Sequence, residues 1–186
     1  MSQTSVLAGG QPVGFPGQVQ NAADAEIVSG FSREASAQIP FGYGVQAKPG
    51  EDRGYFLPTG VSGVVEVHGV VAFGYDYAKA GAVDSAGAQS GNLGASGILP
   101  AGPLNIVRRG RVLVPVKDNV QPNDRAFCFV TATGALTPGL WAGTNYGGSF
   151  VRDCTTQGVF RSTTRTAADG TTKVAVLEVD FTSKAP

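Results

Sequence analysis

The sequence predicts an all-β fold: a small antiparallel barrel or sandwich with an extended N-terminal arm and a long Gly/Ala/Ser-rich loop. Three observations carry this. Valine-rich runs alternate with period two, glycine and proline turn signals separate them, and apolar residues at helical spacing are nearly absent. With 27 Gly and 11 Pro in 186 residues, the chain is punctuated too often for long helices.

Residues 1–25 are small and polar, and Pro12 and Pro16 break any regular element, so they read as an extended arm. Within it only Asn21–Glu26 suits a helical turn. A single β domain is expected over 26–181, followed by a short tail at 182–186. Ile39–Ala47 and Val61–Phe73 read as its first strands, the second bent by its glycines. Residues 78–103 are mostly Ala, Gly and Ser, a connection long enough to be functional or unordered. Leu104–Val107 then leads through Arg108-Arg109-Gly110 to a strand at Arg111–Lys117, with the arginines at a hairpin tip. Val112, Val114 and Val116 share one face, and Pro115, lacking an N–H, marks this strand as an edge or as interrupted there. Pro122-Asn123-Asp124 is a turn and Ala126–Thr131 a strand. Leu136–Gly148 reads as a glycine-rich loop carrying Trp141 and Tyr146. Gly158–Thr163 and Lys173–Phe181 finish the sheet, joined through Asp169-Gly170. In the last strand Ala175, Leu177, Val179 and Phe181 face one way and Glu178 and Asp180 the other.

Composition narrows the function. Lys+Arg and Asp+Glu both number 14, so the excess cations that nucleic-acid binding draws on are missing. No apolar run reaches the length of about 18 residues that spans a bilayer. The opening residues lack the charged and apolar regions of a secretory leader, which implies synthesis in a cytoplasm with Cys128 and Cys154 reduced. Neither nucleic acid nor a membrane is expected as a partner.

Chemistry-bearing constellations are sparse. His68 is the sole histidine, and the two cysteines lack metal-site spacing, so no metal is expected. His68 and Glu66 share a strand face and form the one candidate base–carboxylate pair; the plainer reading is a strand histidine beside an ordinary acid. Gly42-Tyr43-Gly44-Val45-Gln46-Ala47 fits a loose dinucleotide pattern, but Lys48-Pro49-Gly50 stops the helix that pattern requires. No catalytic residue and no cofactor is therefore assigned. Arg108, Arg109 and Arg111 form the one basic cluster, either a solvated turn or a contact for an acidic protein surface. Trp141 and Tyr146 either cap the core or anchor an interface, with sugar stacking a third reading.

The order of short motifs is itself informative. Gly14-Phe15-Pro16-Gly17-Gln18 comes first, then Ile39-Pro40-Phe41-Gly42-Tyr43-Gly44-Val45 and Gly69-Val70-Val71. Ile106 to Val116, the Pro122-Asn123-Asp124 turn, Ala126 to Val130, Val159-Phe160 and Val174 to Phe181 follow. Over about residues 12–181 this resembles the capsid cement (decoration) proteins of tailed bacteriophages. The departures are the tract at 78–103 and the Trp141-Ala142 and Asn145-Tyr146 pairs. The resemblance implies a β barrel or sandwich with an extended arm, forming a homo-oligomer (a trimer) on the outside of an icosahedral head. Its partner would be the major capsid protein lattice, and its place the outer surface of the virion after synthesis in the host cytoplasm. Phe15, Pro16, Arg108, Arg109, Arg111, Trp141 and Tyr146 are the candidate capsid or oligomer contacts. The alternative is a carbohydrate- or receptor-binding β module of a virion or tail fibre. An all-β trimeric enzyme using His68 ranks behind both.

Overall fold

The computed structural model describes residues 14–60, 65–73, 97–132, 136–168 and 170–183. Among them there is no α-helix. The thirteen strands are Glu26–Ser32 (β1), Ile39–Pro40 (β2), Gly44–Ala47 (β3), Gly54–Phe56 (β4), Gly69–Val71 (β5), Gly97–Ile98 (β6) and Pro103–Pro115 (β7), followed by Phe127–Phe129 (β8), Trp141–Ala142 (β9), Val151–Asp153 (β10), Gly158–Phe160 (β11), Arg165–Thr166 (β12) and Lys173–Asp180 (β13). The all-β expectation holds, and the one helical turn, a 3-10 turn at Ala22–Asp24, falls where the sequence suggested it. Asn21 caps that turn by accepting from the Ala23 N–H.

Pairing around the first half closes on itself. β1 pairs with β4, β4 with β3, β3 with β5, β5 with β7, and β7 again with β1. This ring is a small barrel. Its interior holds Val45, Tyr55, Val71, Leu104 and Ile106, with Ile39, Phe41 and Ile98 closing it. In β7 the even-numbered Leu104 and Ile106 point inward, as period-two alternation requires.

β7 then leaves the barrel and carries the same eight-stranded sheet on into β13, β11 and β12. Opposite it lies the three-stranded sheet β10–β8–β9. Isolated bridges between Val116 and Trp141 and between Arg125 and Val159 join the two sheets at both sides. Between them sits the largest core, including Val112, Val114, Cys128, Trp141, Phe160, Leu177 and Phe181. The alternation expected for the last strand is present: Ala175, Leu177, Val179 and Phe181 are buried, and Asp180 is exposed.

Several expectations are corrected. Arg108-Arg109-Gly110 is not a hairpin tip, because β7 runs unbroken through it. Gly110 has φ +131°, and beside it the β1–β7 register shifts between Glu26 and Ile27. The glycine lets the strand bend from barrel to sheet while keeping its ladder. Nor is the Pro115 strand an edge, although it does stop at Pro115, as the other reading of that proline had it. Even-numbered residues of β7 bond toward β1 and β13, as in Ser32 N–H to Gly102 C=O and Phe181 N–H to Arg108 C=O. Odd-numbered ones face β5 and residues 17–20, as in Ala72 to Asn105, Gly17 to Leu113 and Gln20 to Arg111. Pro115 is odd-numbered and last, so its missing donor falls where that second flank ends.

Other differences are local. The 39–47 run is split by a turn at Phe41–Gly42, with Gly42 at φ +78° and its missing side chain leaving room for the backbone of Gly17. Of the 61–73 run only Gly69–Val71 joins a ladder, since β3 meets it only at Gly44 and Val45, and 61–64 lie outside the described residues. Leu136–Gly148 contains β9 where a loop was expected. Gly158–Thr163 shortens to β11, and Asp169 lies outside the described residues. So do residues 78–96 of the long loop; residues 97–103 contribute β6 and a turn before β7. The arm expected over 1–25 is described only from Gly14 onward. Residues 14–25 are tied down by the ladder to β7 and by Phe15 stacked on Phe73 at 5.6 Å.

Gly110→Val forces a β-branched side chain into a left-handed backbone and against the Ala25 backbone, 3.1 Å from where the new Cβ would lie. Unfolding in denaturant should show a loss of about 1–3 kcal/mol. Wild-type stability in this variant would contradict the role given to the bend.

Candidate functional site

The expected contact residues fall into three places. Phe15 is half-buried and stacked on Phe73, and Pro16 is buried. Trp141 is fully buried in the main core. Its indole N–H donates to the Gly42 carbonyl at 3.0 Å, pinning the second sheet pair to the barrel turn. The interface-anchor reading of Trp141 is therefore overturned, and the core reading applies: a ring with no exposed surface contacts no partner. An exposed sugar platform made from Trp141 and Tyr146 falls with it. Tyr146 is 39% exposed and packs against Phe129 at 5.2 Å between ring centroids. Partial burial raises its phenol pKa, and the nearby Asp118 charge adds to this.

The Tyr146 loop is held rather than loose. Asp118 accepts from the N–H groups of Gly143 and Thr144, both at 2.9 Å. Asn145 Oδ1 accepts from Gly147 N–H, and Thr131 Oγ1 donates to the Ser149 carbonyl. Phe150, also exposed, stands at its far end.

The three arginines have separate fates. Arg108 is half-buried and donates to the Phe181 carbonyl at 2.8 Å, strapping β7 to the end of β13. Arg111 is exposed and reaches Glu178 at 2.6 Å, and Arg161 reaches the same carboxylate at 3.2 Å. Arg161 first, then Arg111, hold the Glu178 pKa below its ordinary 4.5. Arg109 is exposed on the rim of an open depression of about 520 Å³. Asp24, Glu178 and Asp180 share that rim with Arg109 and Arg111, so it carries both signs of charge.

His68 is half-buried, and its Nδ1 accepts from the Ala47 N–H at 3.3 Å while lying 3.2 Å from the Glu66 carbonyl oxygen. That nitrogen is engaged by backbone, which leaves it poorly placed as a base. Among the described residues no cluster of three His, Cys, Asp or Glu could hold a metal, and no helix is long and apolar enough to cross a membrane. Cys128 and Cys154 are free thiols, both buried. Burial pushes the Cys128 thiol well up, so it is a packing residue with little thiolate character.

A family model described as structural cement protein (E217 gp24/Pam3 gp6) matches residues 2–177. The chain belongs to that family. It is a structural protein of the phage virion, as the order of its motifs suggested. The fold is also similar to that of a chain in the solved capsid of Myoviridae phage XM1, with a TM-score of 0.61. That likeness covers 97% of this chain and 98% of the other at 15% identity, and so speaks to fold. No curated protein matches.

Some features of this cement protein's surface escaped the sequence reading. β1 was not foreseen, and with it the exposed Ile27 and Phe31; Leu99 and Phe150 were missed as well. The signal for β1 was present in Glu26-Ile27-Val28-Ser29-Gly30-Phe31-Ser32, where large apolar residues fall on the odd positions, interrupted by serine.

Trp141→Phe keeps most of the ring volume but strands the buried Gly42 carbonyl. Denaturation should show a loss of about 1–3 kcal/mol; an unchanged midpoint would mean the indole N–H is not holding the two halves together. Glu178 gives a pH signature. Its pKa is lowered in the folded state, so its stabilisation is present above the ordinary value and is lost as pH falls through the lower folded value. Measured from pH 6 to pH 2, stability should drop more steeply in the wild type than in Glu178→Gln. Parallel curves would show that the Arg111–Glu178–Arg161 cluster adds nothing.

Proposed function

We propose that this cement protein binds the outer surface of an assembled phage head and stabilises its major-capsid lattice as a small homo-oligomer, a trimer. The observation that carries the reading is the family match across nearly the whole chain. The molecule's physics suits the task. A strand hydrogen-bonded along both edges gives a stiff body for bridging neighbouring subunits. Equal numbers of cations and anions let many copies lie close without accumulating repulsion. The role needs no cofactor, catalytic group, nucleic acid or membrane, and synthesis in the host cytoplasm suits two unbridged thiols.

Of the contact residues expected from sequence, Arg109, Arg111 and Tyr146 are those the fold leaves exposed. Phe15 and Pro16 act through the position of the segment that carries them. Repetition over a lattice multiplies modest contacts into firm attachment.

Purified protein added to undecorated capsids of the parent phage should co-sediment with them and raise their disruption temperature. Absence of association at micromolar protein would sink the reading. Light scattering of the free protein should give about three times the 19.0 kDa chain mass; a monomer mass would remove the trimer.

A further inference from the structure

β1 is paired unequally along its two edges. Toward β7 its ladder runs from Glu26 to Phe31. Toward β4 pairing begins only at Phe31, opposite Gly54, and continues at Ser32. Odd-numbered residues of β1 face this second edge, as the Phe31 N–H to Arg53 carbonyl bond at 2.9 Å establishes. The N–H and C=O groups of Ile27 and Ser29 therefore point outward, and they bond to no other described residue. The same stretch gathers exposed apolar side chains. Ile27 is 43% exposed and Phe31 49%, both on the outer face of the barrel with Ser29 between them. Two of the five large exposed apolar residues among those described, Ile27 and Phe31, thus border one open strand edge.

An edge with free donors and acceptors and an apolar margin is what strand addition uses: backbone bonds supply affinity and alternate side chains supply selectivity. We infer that the Ile27–Ser29 edge of β1 takes up an extended segment of the capsid protein as an added strand, with that segment's apolar side chains packing on Ile27 and Phe31. A second copy of this chain is a poor occupant. Two β1 edges meeting antiparallel about a two-fold so that both open residues of each are paired would set Ile27 opposite Ser29, wasting both apolar positions, and Arg53–Gly54 blocks extension to Phe31. A foreign strand carries no such symmetry constraint. The identity of the occupant rests on the proposed binding to the head, since a cement protein's partner is the lattice it joins.

Hydrogen exchange of the full-length protein, free and bound to undecorated capsids of the parent phage, tests this. The Ile27 and Ser29 amides should exchange rapidly in the free protein and at least tenfold more slowly on capsids. The Ile27→Lys, Phe31→Glu double variant should keep its unfolding midpoint within a few degrees and lose at least tenfold in capsid affinity. Binding with those two amides unprotected would overturn the inference and leave the cement role standing. Protection that grows with protein concentration alone would assign the edge to a second copy. Failure to bind capsids at all would remove both.

Discussion

The molecule depends on one strand being hydrogen-bonded along both edges over most of its length. β7 borders β1 and then β13 on one side, and β5 and then residues 17–20 on the other. Every other sheet element reaches it directly or through one of these neighbours, except β2–β6 and the β8 sheet, and the latter is bridged to it at Val116. A strand in that position must satisfy the barrel and the facing sheets at once. It does so by turning at Gly110, where a side chain would collide with Ala25. Its two halves can then present Leu104 and Ile106 to one core and Val112 and Val114 to the other.

A single shared strand would act as a hinge if nothing braced it. Trp141 supplies the brace, reaching from the second sheet pair to the Gly42 carbonyl of the barrel turn. The approach is tight on both sides: a side chain at Gly44 would meet Cys128 Sγ at 2.8 Å, and one at Gly139 the Gly44 carbonyl at 2.8 Å. Buried bulk, one satisfied N–H and two glycines thus hold the halves in register.

The parts legible in the sequence were those governed by local rules. Period-two alternation placed the two faces of β13 and the buried face of Val112, Val114 and Val116, and the helical turn was placed within Asn21–Glu26. What failed was governed by tertiary geometry. Glycine amid three arginines has the composition of a solvated turn, and only the bulge partner on β1 reveals a bend within a strand. Pro115 lacks a donor, but which edge that donor would have served depends on strand parity and on where residues 17–20 stop. Trp141 among glycines looks like an exposed anchor until the barrel turn that covers it is in place. β1 was missed because Ser29 and Gly30 interrupt its apolar pattern, and that interruption left the exposed surface at Ile27 and Phe31 unread.

Closing pairings into rings removes most of the strand edges that would let a protein made in many copies join itself indiscriminately. The edge that stays open on β1 is short: Ile27 and Ser29 alone offer free groups, Glu26 borders them, and the start of β4 ends the run at Phe31. Two residues are too few to nucleate a continuous sheet between identical molecules, yet they suffice to orient a strand already held nearby. An opening of that length is permissive only when other contacts bring the partner close, which is the situation of a subunit seated on a repeating surface. Brevity therefore does for this edge what charge or proline does elsewhere: it disfavours pairing between identical edges.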